Sequence, residues 1–238
     1  MANFSHFNYK NGVRDGLPIG LGYFPVAFAF GVKASLFNVP IYITLLISML
    51  NLTSAGQLAG LDVIIACGTL VEIILTQLVI NSRYFLMSIT LSQKTDDTFN
   101  LTNRLLTSAF ITDEIFAVSA SKPKNISAKY LYGLALLPYL GWTLGTLAGA
   151  IAGNVIPPFI SSSLGIALYA MFIAIIVPPA KKQFSILLTV ILSAVISCTF
   201  YYTPVLSKLS TGIAVIISAL LTTLILAYFF PVKEENHE

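Results

Sequence analysis

Long apolar stretches recur along this chain from Gly16 to Phe230. A helix rises 1.5 Å per residue, so about 20 residues cross the roughly 30 Å hydrocarbon core of a bilayer. Only 10% of the 238 residues are charged and 56% are hydrophobic, and the mean hydropathy is +0.85. A soluble domain of this size would need more polar surface. The sequence therefore predicts a protein that lies mostly in lipid.

The apolar stretches are continuous, whereas the strands of a membrane β-barrel alternate apolar and polar residues. The sequence therefore predicts an all-α fold, a polytopic transmembrane helical bundle of about seven spans with broken or re-entrant segments. The predicted spans are 17–36, 40–59, 62–81, 130–152, 164–180, 184–203 and 211–230. A single transport domain would cover 16–231, between a cytoplasmic N-terminal segment, 1–15, and a cytoplasmic tail, 232–238.

Basic residues mark the expected cytoplasmic side, because Lys and Arg are enriched in cytoplasmic connections. A cluster between the third and fourth predicted spans should therefore lie on the same side as the start of the chain. Three crossings between Arg14 and Lys94 would put them on opposite sides. Either 82–92 complete a short return through the bilayer or one early span is re-entrant, and the sequence leaves both open. The basic residues are Lys10, Arg14, Lys94, Arg104, Lys122, Lys124, Lys129, Lys181 and Lys182.

Glycines recur every fourth residue at Gly141, Gly145, Gly149 and Gly153. This spacing stacks them along one helix face, where a neighbouring backbone can approach closely. A shorter series, Gly12 to Gly20, leads into the first span. The pattern predicts close helix contacts on both faces.

Ionisable side chains inside apolar stretches are candidate functional residues, because charge is costly at mid-bilayer. Glu72 lies ten residues into the predicted span 62–81. It is a candidate proton-coupling carboxylate, because an apolar environment favours its neutral form. It could equally contact a cationic ligand group or only tether helices.

Two more groups of polar residues follow Glu72. Asn81 and Arg83 end the same predicted span, and the planar guanidinium of arginine can bind a carboxylate in two places. An arginine at a helix end can also extend to the lipid headgroups. Asp113 and Glu114 are adjacent acids in an apolar stretch, where they could line a vestibule, pair with a lysine or lie in a solvated loop.

Prolines and glycines open the first predicted span, and polar residues follow late in the second, at 51–57. Unwound backbone in transporters presents free amide and carbonyl groups to small solutes. The pattern predicts an irregular, broken first helix that contributes to an amphiphilic pocket, with proline-kinked packing as the alternative. The candidate residues are Pro18, Gly22, Tyr23, Pro25, Phe28 and Gln57.

These motifs together resemble the AzlC family, the large subunit of two-component branched-chain amino-acid exporters, over roughly Asn11 to Phe230. The resemblance implies a small, separately encoded membrane partner of the AzlD type. The motifs, in chain order, are Gly16-Leu17-Pro18-Ile19, Gly22 to Gly31, Ala55-Gly56-Gln57-Leu58-Ala59, Asn81-Ser82-Arg83-Tyr84, Thr112-Asp113-Glu114 and the run from Phe172.

The sequence and the resemblance together predict a secondary transporter subunit of the bacterial cell membrane. It would export branched-chain or related apolar amino acids, driven by the proton gradient. The chain has no GxxxxGK[ST] motif, so ATP drive by this chain is not expected. Neither an enzyme activity, a cofactor, a metal nor a nucleic-acid partner is predicted. The alternatives are a membrane assembly subunit without a transport path and a membrane-embedded enzyme that acts on lipid.

Overall fold

A computed structural model describes residues 8–123, 125–153, 155–156, 173, 176–178, 180–206, 209 and 211–230. Helices make up most of this part of the chain, and its one isolated bridge joins Thr95 to Ile126. The all-α prediction is therefore confirmed. The helices are α1 (Tyr9–Leu36), α2 (Ile41–Leu50), α3 (Ser54–Ile65), α4 (Leu70–Ser92), α5 (Leu101–Ser108), α6 (Asp113–Ala120), α7 (Ala128–Ala152), α8 (Phe184–Tyr202) and α9 (Thr211–Phe229).

Among the described residues, five helices are long and apolar enough to cross a membrane: α1, α4, α7, α8 and α9. Helices α1, α7, α8 and α9 match predicted spans to within a few residues at most ends, and α1 begins earlier than predicted. Most of the predicted span 164–180, the motif residue Phe172 and the tail 232–238 lie outside the described residues.

The bounds of the predicted spans 40–59 and 62–81 are wrong. The chain leaves the helix at Asn51 and starts a new one at Ser54, so the first of these spans is broken. Helices of 10 and 12 residues each cover about half of a bilayer core. Helix α4 then continues to Ser92 without interruption. Local side-chain bonds decide these bounds: Oγ1 of Thr53 accepts a bond from the backbone N–H of Gly56, three residues on.

The predicted break in the first span is also wrong, because α1 is one continuous helix that contains both Pro18 and Pro25. Each proline removes one backbone hydrogen bond, and packing against another helix can compensate for that loss in a membrane. The side of α1 that carries Pro18, Gly22 and Pro25 is exposed, whereas Gly16, Gly20 and Tyr23 are buried.

The chain divides into two compact units. The first comprises Met1–Leu58 with Asn81–Leu168, and the second comprises Ala59–Ile80 with Tyr169–Glu238. In the second unit, α8 and α9 pack on each other. Gly212 at the start of α9 also lies against the side chain of Thr76.

Both glycine series form close helix contacts, as predicted, and the structure shows that both lie in the contact between α1 and α7. Helices α1 and α7 pack along most of their length, and a Cβ added to any of these glycines would collide with an atom of the other helix. The closest atoms are backbone carbonyl oxygens, except at Gly153, which faces the side chain of Ser35. The contacts pair Gly12 with Tyr130, Gly16 with Leu134, Gly20 with Leu137 and Gly141, Phe24 with Gly145, and Phe28 with Gly149.

Residue numbers rise together along this contact, so α1 and α7 run parallel and begin at the same end of the first unit. Basic side chains near that end fix the segment that connects α4 to α7. Lys122 pairs with Asp15 of α1 at 2.6 Å, and Nζ of Lys94 bonds to the carbonyl oxygen of Ala120. The structure thus places these residues at the same end of the first unit. That this end faces the cytoplasm stays a prediction.

Two short helical segments reach the middle of the α1–α7 pair from opposite ends. The first segment consists of α2 and the residues that follow it to Gln57. It starts near the C-terminal end of α1 and runs back towards the middle of α1, where Leu52 joins Tyr23 and Trp142 in one buried cluster. The side chain of Gln57 then lies 2.5 Å from Ser48, whereas a continuous helix would separate these residues by about 13.5 Å along its axis. The chain therefore turns back between α2 and Gln57.

The second segment consists of α5 and α6. Tyr132, in the second turn of α7, bonds to Asn103 of α5, and the ring of Phe110 meets Tyr139 near the middle of α7. Helix α6 starts beside Tyr23 and ends near Lys94. The two segments thus enter the first unit from opposite ends and meet at mid-depth.

Residues 82–92, whose path the sequence left open, belong to the first unit. Asn81 lies beside the break, 3.1 Å from Thr53, and α4 then runs to Ser92 near the end where α1 begins. The early span is the broken one, and 82–92 form part of the full-length helix α4.

Candidate functional site

Two aromatic rings form the centre of the region where the short segments meet. The rings of Tyr23 and Trp142 pack edge to face, with centroids 5.3 Å apart, and their exposed fractions are 9% and 3%. Leu52 from the first short segment and Phe110 from the second pack against this pair. The site therefore combines both segments with α1 and α7.

The hydroxyl of Tyr23 connects α1 to the first turn of α6. It donates to Oε2 of Glu114 at 2.5 Å and lies 2.6 Å from Oγ1 of Thr112. Thr112 is also the N-cap of α6, where its side chain accepts from the N–H of Ile115. A helix N-terminus carries partial positive charge, so it stabilises the Glu114 carboxylate in this position.

An ion pair connects α4 to the same turn of α6. A guanidinium nitrogen of Arg83 lies 2.9 Å from Oδ2 of Asp113, and the two side chains are 42% and 40% exposed. Arg83 also stacks over the ring of Tyr84, 5.2 Å from its centroid. Asp113 thus pairs with an arginine and not with a lysine, and Arg83 has a defined partner beside the site.

A buried polar network holds the first short segment against α7. Nε1 of Trp142 donates to Oε1 of Gln57 at 2.9 Å, and Nε2 of Gln57 donates to Ser48. Ser48 and Thr146 then share a hydroxyl hydrogen bond at 2.6 Å. These side chains are nearly inaccessible, so each bond offsets a desolvation cost of about 1–3 kcal/mol.

The structure brings six of the predicted site residues into the first unit around this centre: Tyr23, Gln57, Asn81, Arg83, Asp113 and Glu114. Other predicted residues do not join them. Pro18, Gly22 and Pro25 are exposed, and no atom lies within 4 Å of a Cβ added at Gly22. Phe28 contributes its carbonyl to the contact with Gly149.

Glu72 occupies a different position from the one predicted. It lies in the first turn of α4, in the second unit, and not ten residues into a span. Its Oε2 accepts from the backbone N–H of Thr69 at 2.6 Å, and its own N–H donates to Oγ1 of Thr69 at 3.2 Å. These reciprocal bonds form a capping box. Its role in coupling stays a prediction.

Four members of the site were not predicted as site residues, although Thr112 belongs to one of the motifs: Ser48, Thr112, Trp142 and Thr146. Two of them carried a usable signal. Thr112 precedes two acids, a pattern typical of a helix N-cap. Trp142 is the single tryptophan of the chain and lies within the glycine series. Ser48 and Thr146 have no such signal, because their roles depend on a contact across 98 residues.

Comparison with known proteins agrees with the resemblance seen in the motifs. The family model described as AzlC protein matches residues 18–156, more than half of the chain and a range that contains the whole site. The inner membrane protein YgaZ of Escherichia coli (strain K12) is 26% identical over 235 residues, 95% of this chain and 94% of YgaZ. An uncharacterized membrane protein of Archaeoglobus fulgidus is 29% identical over 177 residues, 74% of this chain and 77% of that protein. No solved structure matches the chain. The chain therefore belongs to the AzlC family, a family of membrane proteins associated with transport.

Proposed function

We propose that this chain is a secondary transporter subunit of the bacterial cell membrane that exports branched-chain or related apolar amino acids. The observation that carries the proposal is the meeting of two half-depth helical segments around Tyr23 and Trp142. Discontinuous helices that meet at the bilayer midplane commonly form the substrate site of secondary transporters. The proton gradient is the proposed driving force.

The ion pair between Arg83 and Asp113 supports an amino acid as the substrate class. An amino acid carries the same two charges, a carboxylate and an ammonium group. Its carboxylate would replace Asp113 on the guanidinium of Arg83, and its ammonium group would replace Arg83 on Asp113. Both side chains are about two-fifths exposed, so a small solute could reach them.

The neighbouring side chains suit an apolar substrate side chain. Aliphatic and aromatic side chains lie near the turn of α6 that carries Asp113. They are Leu52, Phe110, Tyr139 and Trp142. Burying such a side chain contributes about 1.5–3 kcal/mol. A charged substrate side chain would instead lose its hydration in this region.

Transport should also depend on a small membrane subunit of the AzlD type. The proposal of this partner rests on the resemblance to the AzlC family. The purified chain would be reconstituted in liposomes with and without that subunit, and exchange of labelled leucine would be measured. We expect exchange only with both subunits. Full efflux by the single chain would contradict the need for a partner, and absence of exchange in both preparations would favour a non-transporting assembly subunit.

Substitutions of Arg83 test the substrate contact. Arg83→Lys keeps the charge but loses the planar fork of donors, so we expect leucine exchange to fall strongly. Arg104→Lys is the matched control, because Arg104 bonds to the backbone carbonyl of Phe99 away from the site. Equal loss in both variants would contradict a specific role for Arg83.

A further inference from the structure

We propose that Glu114, through its hydrogen bond with Tyr23, is the carboxyl group that carries the coupling proton. This inference rests on the proposed function and deepens it, because it names the group through which the proton gradient acts. It also moves the coupling role away from Glu72, whose carboxylate is engaged in a capping box in the other unit.

The first step of the argument is the position of Glu114. It lies in the first turn of the half-depth helix α6, next to a hydroxyl on the middle of α1. Intramembrane acids are costly and are commonly part of proton relays. Glu114 therefore lies where a proton taken up by the protein can act on the proposed substrate site.

The second step compares the two adjacent acids. Asp113 is paired directly with the cation Arg83, so protonation of Asp113 would break an ion pair. Glu114 accepts from the neutral hydroxyl of Tyr23, so its protonation breaks no ion pair. The other titratable groups at this turn are Tyr84 of α4, beside Arg83, and Tyr139 of α7, which packs on Phe110. Glu114 is therefore the acid of the two whose protonation leaves the ion pair between Arg83 and Asp113 intact.

The third step is what the proton changes. A carboxylate that accepts from a hydroxyl forms a short, charge-assisted bond, which is roughly twice as strong as a neutral one. When Glu114 binds one proton, this bond weakens and the first turn of α6 is held less firmly to α1. When the proton leaves on the other side of the membrane, the tie re-forms. One proton is taken up and one is released in each cycle.

The chain contains its own reporter for this event. Trp142 is its single tryptophan, and its ring packs edge to face on Tyr23, the partner of Glu114. Tryptophan emission of the full-length protein therefore originates beside the proposed proton site. Protonation of Glu114 should change the emission of Trp142, because it changes the hydrogen bond of the neighbouring Tyr23.

The first test is an emission titration of the purified full chain in lipid nanodiscs, from neutral to acid pH. We expect the parent to show a transition that Glu114→Gln abolishes and Tyr23→Phe alters. Two matched controls should keep the parental transition: Asp97→Asn, an exposed acid, and Tyr132→Phe, which loses only a bond to Asn103. A parent without a transition, or a Glu114→Gln variant that keeps it, would overturn the proposal.

The second test measures leucine movement in liposomes that contain the transporter with its partner subunit. We expect Glu114→Gln to exchange labelled leucine at equal concentrations but to lose accumulation driven by a pH gradient. Accumulation by this variant equal to that of the parent would overturn the proposal while the proposed function stands. If the parent exchanges no leucine, the proposed function fails, and the emission titration alone decides whether Glu114 binds the proton.

Discussion

Lys122 and Asp15 form an ion pair with 2.6 Å between Nζ and Oδ2, although 107 residues separate them in the chain. The hydroxyl of Tyr130 donates to the same carboxylate oxygen at 2.7 Å. The pair thus connects the second turn of α1, the segment after α6 and the first turn of α7. It explains why the basic connection stays at the end of the first unit where both long helices begin.

This arrangement predicts which positions can be labelled from outside the cell. Cysteines introduced at Thr98 and Asn125 should resist an impermeant thiol reagent in intact cells, because the basic connection is predicted to face the cytoplasm. The background chain needs serine in place of Cys67 and Cys198, which are both free and exposed.

The labelling control is Phe37→Cys, at the opposite end of α1, where an exposed side chain should react. Labelling of both Thr98→Cys and Asn125→Cys from outside would reverse the predicted orientation.

The close contact between α1 and α7 predicts a large effect at Gly145. In Gly145→Leu the new side chain would collide with the carbonyl of Phe24, so two backbones must separate. We expect less folded protein and a lower temperature of unfolding in detergent. Gly22→Ala is the control, since a Cβ there meets no atom within 4 Å. Normal yield and stability of Gly145→Leu would show that the helices do not approach closely here.

The capping box predicts how α4 responds to changes at its start. Thr69→Ala and Glu72→Ala should each destabilise the second unit by about 1 kcal/mol, because each leaves a backbone N–H without its side-chain acceptor. Glu72→Gln should keep most of the stability, since glutamine also serves in a capping box.

Thermal unfolding measures this effect, and leucine accumulation tests the coupling role of Glu72 separately. A stable Glu72→Gln variant that exchanges leucine but cannot accumulate it would restore Glu72 as the coupling group.

The buried network predicts that Gln57 matters for the first short segment. Gln57→Leu has a similar size but removes the acceptor for Trp142 and the donor to Ser48. We expect a loss of about 1–3 kcal/mol for each polar group that stays unpaired and buried. Unfolding monitored by Trp142 emission checks this, with the exposed Gln93→Leu as control. Equal stabilities of the two variants would contradict the network's role.

The amino-acid sequence by itself determined the class of the protein and much of its helical framework. Continuous apolar stretches require backbone hydrogen bonds within each segment, so α1, α7, α8 and α9 follow from composition and length. The presence of a close helix contact at each glycine series also followed from spacing, since residues four apart share one helix face. The pairing of α1 with α7 did not follow from it. The acids and the arginine of the site were visible because charged residues are rare in such stretches.

Only the tertiary structure decided where the helices break and which side chains meet. Average hydropathy over a full span cannot detect the three-residue break at 51–53 or the capping box that starts α4 at Thr69 and Glu72. Tyr23 and Glu114 are 91 residues apart, and neither residue predicts the other. Their hydrogen bond forms because α1 packs on α7 and the short helix α6 begins at the depth of Tyr23. A pairing of this kind is a property of the folded chain.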